Sequence, residues 1–311
     1  FGIWCAFVWT STDYLIYKTY GSSFTARNGL VPSSPEFTRF TPKANACNDI
    51  GNSISTSGEH VDCDYAAPMV TSKGFAWVAP IVPRGLWNTL FVNNPGFLVL
   101  DDSAGSYTNP KARLVRIDDE QKVGPGMEWF DNLQYKLAHN DFFANYDTPH
   151  YLPLDDSKPD KLSLVVPKIK YFLWRLPYWG GVVIVHSDGR LEDLSAEKAV
   201  ADPRLKGKWI YPLALSRLYI SIQNYGLGWG LLTPFVTIQG NLEIEKLSSG
   251  NQFPFLTQGA DGKPYLVTAT RGQGSARGLY RMYFTDASTG VTTFHQFGQH
   301  EVVYGAGAAK A

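Results

Sequence analysis

The sequence predicts an α+β protein of two or three small modules, each a curled antiparallel sheet with a helix, behind an apolar amino-terminal segment. Three observations carry this. A strand–connection–strand unit ending in an acidic, glycine-bearing turn recurs three times. Helical spacing of apolar residues fills the stretches between copies. The composition also supplies a core, since 44% of the 311 residues are apolar. Charged residues are 18%, below the roughly 25% of ordinary soluble domains. With 28 basic and 28 acidic residues the formal charge is zero, so no net positive field exists for nucleic acid. High hydrophobicity without net charge also excludes a disordered chain.

Residues 1–20 come first. Phe1 to Trp9 carry no charge, and Asp13 is the first ionisable side chain. A spanning helix needs about 20 apolar residues, so this run is read as the exit end of a membrane-anchoring helix. Trp4, Trp9, Tyr14 and Tyr17 would be its interfacial aromatic belt, with the lipid bilayer as partner at the amino terminus. The alternative is an apolar first element tucked into the body.

Residues 21–74 are expected to wrap irregularly over a neighbouring surface. Pro32, Pro35, Pro42 and Pro68 punctuate them, and the run from Gly51 to Gly58 has no periodicity. Cys47 and Cys63 flank this polar loop. A bridge there would contribute about 3 kcal/mol by the loop-entropy argument and would place the body outside the cytoplasm. Cys5 stays unpaired in this reading.

The repeated unit follows. Phe75-Ala-Trp-Val-Ala-Pro-Ile-Val and Gly96-Phe-Leu-Val-Leu-Asp-Asp-Ser-Ala-Gly105 give a first module over 75–126. Leu162-Ser-Leu-Val-Val-Pro and Gly181-Val-Val-Ile-Val-His-Ser-Asp-Gly189 belong to a second over 127–207. Pro264-Tyr-Leu-Val-Thr-Ala-Thr-Arg and Leu279 to Gly290 belong to a third over 208–311. Each turn ends in glycine because the chain must reverse through positive φ. Helices are expected over 127–138, with Trp129, Phe130, Leu133 and Leu137 on one stripe, over 195–201 behind a Ser195 cap, and from Pro212 to Gly226.

Tyr265-Leu-Val-Thr-Ala-Thr, followed by Arg281-Met-Tyr-Phe-Thr-Asp-Ala-Ser-Thr-Gly-Val-Thr-Thr, resembles the end of a PepSY or cystatin-like module. In such modules two strands lead into an Asp-x-x-Thr-Gly turn and a further strand. The resemblance covers the last third of the chain and, more loosely, the middle third. It implies an extracytoplasmic, non-catalytic interaction module attached to a membrane protein.

Three chemistries compete with that reading. Arg271-Gly-Gln-Gly-Ser-Ala-Arg-Gly278 lacks the following helix that a phosphate loop requires, because a strand follows it. His139, Asp141, Asp147 and His150 offer imidazole and carboxylate groups, yet their spacing fits no metal-ligand pattern. Asp101-Asp102, Asp118-Asp119-Glu120 and Asp155-Asp156 supply paired carboxylates, which glycoside hydrolysis needs across an aromatic-lined cleft. Adjacent acids in turns usually face water instead.

The sequence therefore points to a non-catalytic, membrane-anchored extracytoplasmic subunit that holds a larger membrane complex together. No cofactor, metal or nucleic acid is expected, and the partners are other subunits. Trp174, Tyr178, Trp179 and Trp229 lie in Pro- and Gly-flanked aromatic runs and are the expected contact residues. The alternative is an extracytoplasmic carbohydrate-binding or carbohydrate-hydrolysing protein using the paired acids and aromatic platforms.

Overall fold

A computed structural model describes residues 12–31, 43–54, 58–71, 74–102, 114–155, 157–158, 161–223, 242–245, 254–272 and 278–298. Residues 12–19 form a short helix, α1, and Thr25–Ala26 a two-residue strand, β1. The rest repeats one plan three times.

In sheet I, helix α2 (Lys43–Gly51) leads into two short strands, β2 (Glu59–Val61) and β3 (Ala67–Thr71). Both lie end to end along one edge of a long strand, β4 (Gly74–Pro83): β2 pairs with its carboxyl end and β3 with its amino end. After helix α3 (Leu86–Phe91), strand β5 (Gly96–Asp101) returns along the other edge of β4, and β6 (Leu114–Ile117) completes the sheet. Sheet II follows the same order with α4 (Leu133–Asn140), β7 (Asn145–Tyr146), β8 (His150–Pro153), β9 (Leu162–Phe172), β10 (Leu176–Val185) and β11 (Leu191–Leu194). Again the first short strand pairs with the carboxyl half of the long one, and the second with its amino end. Helix α5 (Ala196–Ala201) intervenes. Sheet III then has α6 (Leu213–Ser221), β12 (Glu243–Ile244), β13 (Phe255–Gln258), β14 (Pro264–Arg271), β15 (Leu279–Asp286) and β16 (Thr292–Gln296). Its pairing repeats the pattern, and β1 adds to β16 in parallel.

Proline explains how two of the long strands change partner. Pro80 lies opposite the break between β2 and β3, and its carbonyl accepts from the Asp62 amide at 3.2 Å. Pro167 lies opposite the break between β8 and β7, its carbonyl accepting from the Asp147 amide at 3.0 Å. A residue's N–H and C=O point to the same edge of a strand. The missing N–H therefore faces the break, where no partner strand would use it.

The break lets the sheet curl. Arg116 on β6 grips Glu59 on β2 with two hydrogen bonds of 2.8 and 3.2 Å, although β5 and β4 lie between them in the sheet. In a flat sheet three strand spacings would separate those residues by about 14 Å. Each helix fills the hollow of its own sheet. Ala46, Cys47 and Ile50 of α2 join a core with Phe75, Trp77, Ala79 and Ile81, alternate residues of β4. Leu133 and Leu137 of α4 join Leu164, Val166, Val183 and Val185, and Leu215 and Tyr219 of α6 join Leu266.

These cores are shared between units. Val78 and Phe97, on the other face of sheet I, pack into the α4 core of sheet II, so all ten residues of β4 are buried. Behind sheet II, Val165, Val182 and Ile184 are covered by Ala199, Leu205 and Ile210. The Ser195 hydroxyl caps α5 by accepting from the Lys198 amide at 3.4 Å.

Several expectations need correction. No helix among the described residues is long and apolar enough to cross a membrane. Helix α1 instead buries Ile16, with Tyr17 packed against the same core and Tyr14 beneath the Lys18 ammonium. Trp4 and Trp9 lie outside the described residues. Among the described residues of 21–74 lie α2, β2 and β3, which pack and pair with β4, so regular structure of the first sheet is present from Lys43. Local patterning hid these strands because their pairing partners lie in β4. The helix expected over 127–138 begins only at Leu133, behind an Asn132 cap, and Trp129 and Phe130 point outward. Helix α6 ends at Ser221, and 224–226 lie outside the described residues.

Cys47 of α2 and Cys63, just past β2, are joined by a disulfide with Cα atoms 5.7 Å apart. Replacing both by serine is expected to lower stability by about 3 kcal/mol, the value for a loop of about 15 residues, read from denaturant midpoints. Gly181, at φ 114°, marks a bulge in β10 where a Cβ would run into the Leu194 carbonyl. Gly181→Ala is expected to cost at least about 2 kcal/mol, and an unchanged melting temperature would contradict that packing.

Candidate interaction surface

Large apolar side chains are exposed where the chain reverses. In α3, Trp87 and Phe91 stack at 6.1 Å and are 72% and 78% exposed. The Glu128 amide bonds to the Thr89 carbonyl at 3.2 Å and so brings the Trp129–Phe130 turn beside α3. From there Phe130 meets Tyr135 edge-on at 5.7 Å, and Tyr135 meets His139 at 4.1 Å. Beyond the end of α4, Phe142 and Phe143 project into solvent, and Phe143 meets Trp174 at 5.3 Å. Phe143, Tyr171 and Trp174 line an open hollow of about 430 Å³.

The backbone at these points departs from its usual preference. Trp129, Leu173 and Trp174 have φ of 51°, 49° and 62°, a region that costs a non-glycine residue of order 1 kcal/mol. The Phe172 carbonyl accepts from the Arg175 amide at 3.2 Å across Leu173 and Trp174. Two consecutive positive φ values make this a type I′ turn, whose favoured sequence is Asn-Gly. Leu173 and Trp174 are 71% and 79% exposed, so burial in the core does not offset the strain.

The turn caps a two-stranded finger. Past Ile169 and Gly181, β9 and β10 pair only with each other among the described residues. Polar contacts steady its base. Lys170 donates to Asp141 at 2.9 Å, and that bond holds the Asp141 carboxyl below its ordinary pKa while raising that of Lys170. Asn145 donates to the Tyr171 hydroxyl at 2.7 Å. Lys168, nearly buried, reaches both carboxylate oxygens of Asp193 at 2.5 and 2.7 Å.

Tyr178 and Trp179 line a second hollow, of about 390 Å³, on the far side of the finger's base. Tyr20 stacks on Tyr219 there at 5.0 Å, and Trp179 meets Tyr211 edge-on at 5.4 Å. Burial pushes the hydroxyls of Tyr20, Tyr211 and Tyr219 up in pKa, and Tyr219 donates to the Pro177 carbonyl at 2.7 Å. No carboxylate lines either hollow among the described residues. Of the four contact residues read from sequence, Trp174 is thus at the finger's tip and Tyr178 and Trp179 at its base, while Trp229 lies outside the described residues.

The metal-like cluster does not come together. His139 caps the end of α4 through its Tyr135 carbonyl, and Asp141 is held by Lys170. Asp147 accepts from the Ala214 amide at 2.8 Å, capping α6 from a distant segment. His150 is buried beside Trp209, with ring centroids 3.6 Å apart. No group of three or more His, Cys, Asp or Glu converges on a metal position among the described residues. Of the paired acids, Asp118 binds Arg116 and Asp155 accepts from Ser157, while burial raises the Asp119 carboxyl, one of whose oxygens has no hydrogen-bond partner among the described residues. Sequence reasoning missed Trp87, Phe91, Phe142 and Phe143. For Phe142 and Phe143 the available signal was adjacency, because neighbouring side chains at a reversal point in different directions; Trp87 and Phe91, at i and i+4 of a helix, carried no such signal.

Neither ring nitrogen of His150 has a hydrogen-bond partner among the described residues, and burial lowers its pKa from 6.5 to about 3. Between those values the unfolded chain takes up a proton that the folded chain refuses. Stability is therefore expected to fall as pH drops below about 6.5, by up to about 1.4 kcal/mol per unit from this group. His150→Phe is expected to flatten that part of the profile, read from urea midpoints between pH 7 and 4.

Compared with known proteins, the chain matches no family model, no curated protein and no solved structure.

Proposed function

We propose that this protein is a non-catalytic structural or assembly subunit of a larger membrane complex, with its body in an extracytoplasmic compartment. One observation carries the reading: large apolar side chains stand exposed where the chain reverses, and three of them, Trp129, Leu173 and Trp174, sit on backbone held at positive φ. Strain retained without gain to the core is expected where a side chain acts on something outside the molecule. Exposed aromatic anchors of this kind supply most of the energy of protein interfaces. The disulfide supports the oxidising compartment. A helix followed by a curled sheet, three times over, supports modules of the cystatin or PepSY kind, here with two short strands along one edge.

The hollow at Tyr178 and Trp179 favours a second reading, an extracytoplasmic carbohydrate-binding protein, because ring faces there border a neutral, hydroxyl-bearing space. Its hydrolytic form finds no support in a lining without carboxylates.

The first reading is tested on the stacked pair of α3. Purified in mild detergent from its native membranes, the chain is expected to bring stoichiometric partner subunits with it. Trp87→Ser combined with Phe91→Ser should reduce that recovery at least about tenfold and leave thermal unfolding unchanged. A wild-type chain that behaves as a detergent-free monomer without partners would refute it.

A further inference from the structure

We propose that the finger's tip, Leu173 and Trp174 with Phe142 and Phe143 beside them, docks into the headgroup–acyl boundary of a lipid bilayer. At this site the chain then meets the membrane through turns. This deepens the subunit reading and rests on it.

Shape, chemistry and charge each favour lipid over a protein pocket. The tip protrudes: exposure rises along β9 toward the turn, from buried Ile169 to Trp174 at 79%, and the hollow between Phe143, Tyr171 and Trp174 is open to solvent. A fluid boundary accepts a protruding tip without a complementary partner, and Trp is enriched at that depth because its ring is apolar while its N–H stays wet. Substituting Leu-Trp for the favoured Asn-Gly makes sense only if both side chains gain an apolar environment beyond the turn.

Charge is complementary too. From Leu162 to Ser187 the chain contains no Asp or Glu, whereas Lys168, Lys170 and Arg175 all lie in the hairpin. Lys168 is satisfied by Asp193 and Lys170 by Asp141, so the acids near the base are neutralised. Arg175, next to the turn, forms no ion pair among the described residues, which leaves positive charge at the level of anionic headgroups.

The test uses the full chain with vesicles of phosphatidylcholine, alone and mixed with phosphatidylglycerol. Wild type is expected to sediment with the vesicles, more strongly with the anionic mixture, and its tryptophan emission should be quenched by brominated acyl chains. Leu173→Asn with Trp174→Gly restores the preferred turn residues while removing both apolar groups. This variant should lose at least about tenfold in partitioning, while its melting temperature holds or rises. Phe142→Ser with Phe143→Ser should weaken partitioning without touching the turn.

Two results overturn the proposal: wild type that ignores both vesicle types, or a turn variant that partitions like wild type. If wild type ignores vesicles but the turn variant loses its co-purifying subunits, the tip binds protein and the lipid assignment falls. The subunit reading is decided separately by the α3 pair.

Discussion

A long strand whose edge changes partner partway along its length is the constraint from which the rest of this molecule follows. In β4 and β9 a proline stands at the changeover with its missing N–H turned toward the gap. In β14 the changeover falls at Thr268 and Ala269, between the residues paired with β13 and β12. A sheet relieved of continuous pairing along one edge can curl, and a curled sheet offers a concave apolar face that a single helix fills. Short helices such as α2, α4 and α6 would be marginal alone, and this burial is what fixes them.

The first two units are not independent because their long strands, β4 and β9, are apolar on both faces. β4 directs Phe75, Trp77 and Ile81 toward α2 and Val78 toward the core of sheet II. The β9–β10 pair similarly divides Leu164 and Val183 from Val165 and Ile184 between two cores. A strand buried on both sides needs a neighbour on each, so neither of these units could keep its surface covered alone.

Against that shared interior, the outward rings of α3, the Trp129 turn and the β9–β10 finger stand apart. They are not spillover from a crowded core. Three of them occupy backbone conformations that L residues avoid, and an Asn or Gly would relieve each at no loss of core packing. At the finger's base Lys168 and Asp193, and Lys170 and Asp141, are paired with one another, so what the tip presents is apolar area and the Arg175 charge. The aromatic richness noted in the sequence is thus split: Phe75, Trp77, Trp209 and Tyr283 build the interior, while Trp87, Trp129 and Trp174 face outward.

The sequence by itself determined the mixed helix-and-sheet class, the two long strands and following strand of each repeat, and the Ser195 and Pro212 helix starts. All are local, set by strand propensity, glycine turns and caps within a few residues. It left β1, β2, β3, β7, β8, β12 and β13 illegible, because strands this short are specified by partners far along the chain. It also misplaced Trp129 and Phe130, since helical spacing cannot tell a buried stripe from an exposed turn, and it read the end of a membrane-anchoring helix over 1–20, where the described residues form only the short α1. Which rings are buried, which carboxylates are already paired, and that Leu173 and Trp174 adopt positive φ were decided only by tertiary structure, because each depends on contacts between segments that sequence order keeps apart.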